Sequence, residues 1–303
     1  MLNTILVPLD GSPLGEYALP TAADLAHRSG AQLLLVRAAR HDADEAAAYL
    51  DHLSADAFGL PAAPVASDWP AASHLPPCLR LVVPGDPAEA ILAAAHDHAA
   101  DLVVMTTHGR GGLRHLLLGS VAEKIIAASP IPVWVVRASH PSLPSVLDIP
   151  VELLVPLDGS PFAEAALPVA RELASVLRAR ILLVHAVEPT SLADDLLLTQ
   201  PIIPPETALL DASEARTYLG DWVERLRLEG HPARSVVSHG AARDVILQAS
   251  AAPGIRLVAM ATHGRTGLRQ SLFGSVAHDV LRRGVLPVVL VRPSPPSPER
   301  SLA

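Results

Sequence analysis

The sequence predicts an α/β protein built from two tandem doubly wound units, each with a five-stranded parallel sheet of Rossmann-like type, related by a pseudo-twofold axis. Two observations predict this fold. The phrase ILVPLDGSP, which begins at Ile5, returns as LLVPLDGSP at Leu153. Within each half, short apolar runs rich in valine and leucine alternate with alanine-rich stretches of helical composition. Such alternation is typical of a parallel sheet covered by helices on both faces.

A longer phrase also occurs twice. THGRGGLRHLLLGS, which begins at Thr107, returns as THGRTGLRQSLFGS at Thr262, so this pair is 155 residues apart. The opening phrases are only 148 residues apart. The change of offset falls between Ala38 and Gly85, and it predicts loops of different length in the two halves. Tyr49 and Tyr218, each followed by leucine, provide a landmark within that stretch.

The elements of the first half are predicted in order. Strands are expected at residues 4–9, 32–37, 79–83, 102–105 and 133–136, because these runs are short and almost continuously apolar. Helices are expected at residues 13–29, 45–58, 87–98 and 121–128. The proline-rich stretch 61–77 cannot continue a helix and is predicted to be an exposed excursion, with residues 188–205 as its counterpart in the second half.

These elements predict the domain organisation. Residues 1–138 form the first domain, 139–150 a proline-stiffened linker, 151–293 the second domain and 294–303 a frayed tail. The helix and strand pattern of the second domain follows that of the first.

Composition limits the classes of partner. The 303-residue chain has a formal net charge of −8 and no cluster of lysine and arginine, which argues against nucleic-acid and membrane-surface partners. The N-terminal segment lacks the features of a signal peptide, and no apolar run approaches the ~20 residues of a transmembrane helix. Cys78 is the only cysteine, so a disulfide framework is excluded and a cytoplasmic location is expected.

The phrase PLDGSP follows the first strand of each half. Its repeated residues are Pro8, Asp10, Ser12, Pro156, Asp158 and Ser160. Each serine precedes a proline, as an N-cap residue precedes proline at the first helical position, so capping is the favoured interpretation of both serines. Each aspartate stands at the mouth of a central strand, where ligands collect in doubly wound sheets. A turn role and a ligand role are both open for the aspartates.

The THGR phrase follows the fourth strand of each half. Gly109 and Gly264 permit close backbone approach, and after nine intervening residues Gly119-Ser120 and Gly274-Ser275 begin a helix. A helix N-terminus offers unpaired N–H donors and a partial positive charge to a phosphate. Nearby arginines add positive charge: Arg110, Arg114, Arg265 and Arg269.

Helix capping is the alternative interpretation of the serine in this phrase. Residues Ser120 to Glu123 have the form of a capping box. The second half has His278 in place of the glutamate, so the box is lost there while Gly-Ser remains. That difference favours a ligand role.

Better-known phosphate and hydrolase motifs are absent. Neither phrase contains the lysine of a Walker P-loop, the glycines follow the fourth strand instead of the first, and DGSPLG does not satisfy GxSxG.

The chain, apart from its linker and tail, resembles a tandem universal stress protein of the ATP-binding branch. The resemblance rests on VPLDGS, GDPAEAIL from Gly85, THGR, GSVAEKI and SPIPVWVVR. The ATP-binding branch is marked by glycine, two residues, glycine, nine residues, glycine and then serine or threonine. The second and third glycines are present in both halves, whereas Thr106 and Ala261 replace the first. A side chain there would crowd the ribose, and Thr106 would do so more than Ala261.

The resemblance implies roles for these residues. Asp10 and Asp158 would approach the nucleotide sugar, and the backbone at Ala38 and Ala186, just after the second strand, would hydrogen-bond adenine. The glycine loop and serine would hold the phosphates, with Mg²⁺ bridging phosphate oxygens. Family members commonly dimerise through their last strands, so residues 133–136 and 288–291 are expected to pair within one molecule. Further homo-oligomers and a protein partner are left open.

Several further residues are candidates for other roles. His96 and His98 are two apart on a helix and point to different faces, which favours a solvated helix end over a metal pair. His108 and His263 lie beside the glycines, where a hydrogen bond that orients the loop is favoured over acid–base catalysis. Trp134 and Trp222 are interpreted as core or interface residues. No catalytic residue and no protein metal site are predicted.

Three functional hypotheses follow. The preferred one is a stress-response binding module with ATP in one or both repeats. The second is a slow ATPase or a phosphoryl- or nucleotidyl-transfer enzyme, against which stand the missing lysine clamp and the lack of an identifiable base. The third is a nucleotide-free structural or partner-binding protein, which the two missing glycines permit.

Overall fold

The structure is a computed structural model that describes residues 1–39, 42–55, 78–106, 118–137, 151–188, 210–263 and 274–293. These residues form a single ten-stranded sheet with helices on both faces. The predicted excursion at 61–77, the linker and the tail lie outside the described residues. Most of the counterpart stretch 188–205 lies outside them as well.

The first half contains five strands and five helices among its described residues. Its strands are β1 (Thr4–Pro8), β2 (Gln32–Ala39), β3 (Cys78–Pro84), β4 (Leu102–Thr106) and β5 (Val133–Val136). Its helices are α1 (Pro13–Glu16), α2 (Leu19–Ser29), α3 (Ala43–Ala55), α4 (Pro87–Asp97) and α5 (Ser120–Ala128).

The described residues of the second half repeat that order. Its strands are β6 (Glu152–Pro156), β7 (Arg180–Val187), β8 (Ala233–His239), β9 (Ile255–Ala261) and β10 (Val288–Val291). Its helices are α6 (Pro161–Glu164), α7 (Ala166–Leu177), α8 (Ala212–Leu228), α9 (Ala242–Ser250) and α10 (Ser275–Arg283).

The strand order is β3-β2-β1-β4-β5-β10-β9-β6-β7-β8. Pairs are parallel within each half, as predicted. The two halves meet at β5 and β10, which pair antiparallel, with Trp134 opposite Val289. The predicted pairing of 133–136 with 288–291 is therefore confirmed, and it joins the two five-stranded sheets into one.

The hydrophobic core continues from one half into the other. On one face of the sheet, α2 packs against α7 across the β5–β10 junction. Trp134 is fully buried in the core on this face, as the sequence predicted for a core or interface residue. The opposite face buries the apolar sides of α4, α5, α9 and α10.

The predicted helix 13–29 is two helices, because α1 ends at Glu16 and α2 begins at Leu19. Pro20 explains the break. A proline inside one continuous helix would lack the N–H donor and would clash with the preceding turn, whereas here it falls in the first turn of α2. The second half breaks at the same place, between α6 and α7.

Candidate functional site

Each half has one point where its strand order reverses, between β1 and β4 and between β6 and β9. The β1–β4 pair is held by Ile5 opposite Leu102 and Leu6 opposite Val103. Ligands of open doubly wound sheets bind outside the carboxyl ends of the strands at such points. The segments after β1, β4, β6 and β9 therefore mark two candidate sites.

The turn after β1 is organised by Asp10 and Ser12. Asp10 Oδ1 accepts hydrogen bonds from the Ser12 N–H at 2.9 Å and from the Ser12 hydroxyl at 2.6 Å. The Ser12 hydroxyl also accepts from the Gly15 N–H at 3.1 Å and so caps α1. These contacts fix the orientation of the Asp10 carboxylate at the mouth of the strand.

The turn after β6 has the same geometry. Asp158 Oδ1 accepts from the Ser160 N–H at 3.0 Å and from its hydroxyl at 2.6 Å. The hydroxyl of Ser160 accepts from the Ala163 N–H at 3.2 Å. The predicted capping role of both serines is confirmed, and both aspartates are turn residues. The proposed contact of Asp10 and Asp158 with a ligand stays a prediction.

Pro8 and Pro156 are the last residues of β1 and β6, and both are half-buried. The neighbouring strands β2 and β7 extend beyond the ends of β1 and β6. The residue after each proline still donates its N–H to the neighbouring strand, Leu9 to Val36 O at 2.8 Å and Leu157 to Val184 O at 2.9 Å.

Ala38 and Ala186 lie within the second strand of each half, and the prediction that they follow it is wrong. Pairing continues to the end of the neighbouring edge strand, with Ala38 opposite Val83 and Ala186 opposite Ser238. Hydrogen-bonding direction alternates along a strand. Because Val36 O faces β1, the backbone of Ala38, two residues further on, is directed to the same side, beyond the end of β1.

The helix after each glycine phrase begins at serine, and the glycine is its N-cap. Gly119 caps α5 and Gly274 caps α10, and no side-chain hydrogen bond caps either of these two described helix starts. The predicted capping box at Ser120 and Glu123 is wrong. The reason is that Ser120 is the first helical residue, so the N–H of Glu123 donates to Gly119 O at 2.9 Å.

Ser120 and Ser275 are exposed at these helix starts. Neither hydroxyl caps its helix, although the sequence suggested a capping role for Ser120. The partial positive charge of the first helical turn lies beside them.

Gly274 packs closely against the end of β9. Its N–H donates to Thr262 O at 2.6 Å, and a Cβ on Gly274 would lie 3.0 Å from that oxygen. The neighbouring His263 is buried, and its Nδ1 is 3.1 Å from the Thr262 hydroxyl. The loop that His263 is predicted to orient lies outside the described residues, so this role stays a prediction.

Thr106 and Ala261 are the last residues of β4 and β9, and both are buried. The remaining predicted site residues lie outside the described part of the chain. They are His108, Gly109, Arg110, Arg114, Gly264, Arg265 and Arg269. His96 and His98, which are predicted to lie at a solvated helix end, are both exposed at the C-terminal end of α4.

A tyrosine–glutamate pair beside each aspartate was not predicted. The Tyr49 hydroxyl donates to Glu16 Oε1 at 2.8 Å, and the Tyr218 hydroxyl donates to Glu164 Oε1 at 2.8 Å. Burial raises the pKa of both tyrosines, and the nearby negative charge of the paired glutamate and of Asp10 or Asp158 raises it further. The signal in the sequence was a glutamate four residues after Ser12 and after Ser160.

The surroundings of the two tyrosines differ. The buried Arg37 guanidinium lies 4.9 Å from the Tyr49 ring centroid and 3.4 Å from Asp42. In the second half Trp222 Nε1 donates to Glu164 at 3.2 Å, so this carboxylate accepts from two side chains.

Two α/β halves, each with a fixed carboxylate and a glycine-capped helix at its switch point, define an internally duplicated doubly wound protein with two candidate ligand sites. The chain belongs to the universal stress protein family, because the profile of that family matches residues 1–137 and 152–292.

Two relatives illustrate the similarity. Over 195 residues the chain is 33% identical to Universal stress protein Rv2005c of Mycobacterium tuberculosis, which takes in 64% of this chain and 63% of that protein. The chain thus matches slightly less than two thirds of that relative's length. It is 36% identical over 137 residues to a universal stress protein of Thermus aquaticus, which covers 45% of this chain and 100% of that protein.

The fold is similar to that of a universal stress protein from Archaeoglobus fulgidus. The TM-score is 0.67 at 20% identity, with 96% of this chain and 99% of that chain covered. At this level of identity the similarity shows the fold alone. No helix within the described ranges is both long and apolar enough to cross a membrane.

Proposed function

We propose that each repeat binds an adenine nucleotide, ATP with Mg²⁺, and that the protein acts as a binding module in the stress response. One observation carries the proposal. At each switch point an oriented carboxylate follows the first strand of the repeat, and after the fourth strand a helix begins at glycine without a side-chain cap. A nucleotide has complementary groups, since its sugar hydroxyls donate hydrogen bonds and its phosphates accept them.

The phosphate end of the nucleotide fits the glycine-capped helices. Helix N-termini with unused N–H donors favour anions through hydrogen bonds and the helix dipole. The exposed Ser120 and Ser275 hydroxyls add a donor at each site. Glycine is favoured at Gly274, because a Cβ there would lie 3.0 Å from Thr262 O and the backbone would have to shift. The Gly109 and Gly264 loops, with Arg110 and Arg265, would complete this end.

The sugar would lie at the turn after the first strand of each half, and the base at the last residues of the second strand. Asp10 and Asp158 would accept from ribose hydroxyls. The backbone of Ala38 and of Ala186, directed past the end of the neighbouring strand, would hydrogen-bond adenine. Thr106 and Ala261 border the same crevice, and the larger Thr106 leaves less room in the first repeat.

Mg²⁺, when bound with the nucleotide, would neutralise and bridge phosphate oxygens. Among the described residues no group of three metal-ligating side chains gathers at either site. The metal would be held mainly by the phosphates and water, as Mg²⁺ commonly is in nucleotide sites. We propose the cytoplasm, where ATP is abundant, as the compartment.

The test is nucleotide content followed by titration. Purified protein is denatured, released nucleotide is identified by chromatography, and the emptied protein is titrated with ATP and Mg²⁺ by calorimetry. Two equivalents are expected if both repeats bind. One equivalent would restrict the proposal to a single repeat. No released nucleotide together with no heat of binding would contradict the proposal and favour a nucleotide-free partner protein.

A further inference from the structure

The tyrosine–glutamate pairs occupy equivalent places in the two repeats although the chain between their members differs. Tyr49 lies 33 residues after Glu16, whereas Tyr218 lies 54 residues after Glu164. Both hydrogen bonds are nevertheless 2.8 Å long. Because the bond has the same length although the intervening chain differs, the packing around each tyrosine and glutamate determines it, and the length of the chain between them does not.

Each pair holds the short helix that follows the aspartate turn. Helices α1 and α6 have four residues each, too few to be stable alone. Ser12 caps the start of α1 and orients Asp10, and Glu16 stands at the other end of the same helix. The Tyr49 hydroxyl thus restrains α1 from the end opposite to Asp10.

Hydrogen bonds to a charged carboxylate are stronger than neutral ones, and a half-buried setting strengthens them further. Tyr49 and Tyr218 are both half-buried, and their hydroxyls lie close enough to Asp10 and Asp158 for those charges to act on them. Glu16 and Glu164 lie on the helices that Ser12 and Ser160 cap, so each tyrosine–glutamate pair is linked to its aspartate through one short helix.

We propose that Tyr49 and Tyr218, through Glu16 and Glu164, are positioning residues that set the place of Asp10 and Asp158 against the nucleotide sugar and so determine the preference for ribose over deoxyribose. This inference rests on the proposed nucleotide binding. The phenol hydroxyl fixes the glutamate, the glutamate fixes the short helix, and the helix carries the serine that orients the aspartate. An aspartate with a fixed orientation can accept a hydrogen bond from the 2′-hydroxyl and so distinguish ribose from deoxyribose, whereas a mobile aspartate cannot.

The repeats offer different partners for the same task. In the second repeat Trp222 Nε1 also donates to Glu164, so the glutamate keeps one restraint when the Tyr218 hydroxyl is removed. In the first repeat Arg37 packs on the Tyr49 ring but makes its ion pairs with Asp42 and Glu45. The hydroxyl of Tyr49 is therefore the more important of the two.

The experiment compares Tyr49→Phe and Tyr218→Phe with the wild type, using calorimetric titration with Mg·ATP and Mg·2′-deoxy-ATP. Phenylalanine keeps the ring and removes only the hydroxyl. We expect Tyr49→Phe to weaken ATP binding at one site by about tenfold and to bring the ATP and 2′-deoxy-ATP affinities of that site together. Tyr218→Phe should produce the same change at the other site, to a smaller degree.

Tyr17→Phe is the matched control. Tyr17 is half-buried just beyond α1, and the structure assigns its hydroxyl no hydrogen bond to a described residue. The control should leave both affinities unchanged. Glu16→Gln, which keeps a carbonyl acceptor for Tyr49, should retain more of the ribose preference than Glu16→Ala.

The outcomes separate the two proposals. If the wild type binds neither nucleotide, the proposed function fails and the positioning role fails with it. If the wild type binds ATP and the phenylalanine variants leave the ribose preference unchanged, only the positioning role is overturned. An equal loss for both nucleotides overturns it too, since that result describes a merely structural contact.

Discussion

The two repeats keep the same backbone hydrogen bonds and change the side chains around them. In both, the serine hydroxyl lies 2.6 Å from the aspartate and caps a four-residue helix. A Cβ at Gly15 would lie 2.8 Å from Asp10 Oδ1, yet the second repeat has Ala163 at the equivalent position. The second repeat therefore arranges the same turn with room for a methyl group.

Other equivalent positions differ as well. The buried Arg37 of β2 corresponds to the buried His185 of β7, and Thr106 corresponds to Ala261 at the end of the fourth strand. These replacements change charge and volume next to a hydrogen-bonded frame that stays constant. The comparison indicates that both repeats require this frame, and it predicts that the two proposed sites differ in affinity.

The largest expected effect comes from filling the place of the phosphate. Gly274→Val should abolish binding at the second site, because a Cβ there already meets Thr262 O at 3.0 Å and the two added methyl groups would cover the helix N-terminus. Gly119→Val should do the same at the first site. Calorimetry should give one equivalent of ATP fewer for each variant and none for the double variant.

Gly220→Val is the matched control for these variants. Gly220 is exposed in α8, and a Cβ there meets nothing within 4 Å. The control should keep full stoichiometry, since valine is a better helix former than glycine. A double variant that still bound the wild-type amount of ATP would contradict the site assignment.

An exchange of the residues at the end of the fourth strands should alter affinity by several-fold. Thr106→Ala is expected to strengthen ATP binding at the first site, and Ala261→Thr to weaken it at the second, because the larger side chain narrows the crevice. The double exchange should reverse the order of the two affinities. If the affinities do not follow the residue, the crowding explanation is wrong.

The serine caps should affect both stability and binding. Ser12→Ala and Ser160→Ala each remove a cap and a hydrogen bond to the aspartate, with an expected loss of about 1 kcal/mol in the free energy of unfolding. Chemical denaturation measures that loss, and ATP titration should show weaker binding at the same site. Ser213→Ala, in an exposed position of α8, should change neither quantity. Equal losses in all three variants would argue against the capping contribution.

The sequence predicted the fold well because the fold depends on features repeated along the chain. Two copies of PLDGSP and of the THGR phrase identified the repeats, and apolar runs located the strands to within one or two residues. Strand ends were less accurate. Residues 38 and 39 belong to β2 because β3 continues beside them, which is a property of the neighbouring strand and not of the local sequence.

The candidate site was predicted only in part, because some of its contacts join residues that are far apart in the chain. The Asp10–Ser12 turn lies within three residues of chain, and sequence patterns describe such short-range contacts well. The Tyr49–Glu16 bond joins residues 33 apart, and only the packing of α3 against β2 and β3 brings them together. Tyr49 and Tyr218 were recognised as equivalent positions, but no local pattern indicated their partners.

The smallest expected effect is spectroscopic, and it separates the two repeats without changing affinity. Trp222 Nε1 lies 3.2 Å from Glu164, whereas Trp134 is fully buried at the β5–β10 junction, two strands from β1 and three from β6 in the sheet. Nucleotide binding at the second site should therefore shift the emission of Trp222. Trp222→Phe should remove that shift and keep the ATP affinity within about twofold, because the Tyr218 hydroxyl still holds Glu164. A shift that persists in Trp222→Phe but disappears in Gly119→Val would assign the signal to the first repeat. That result would contradict the assignment of the emission change to Trp222 in the second repeat.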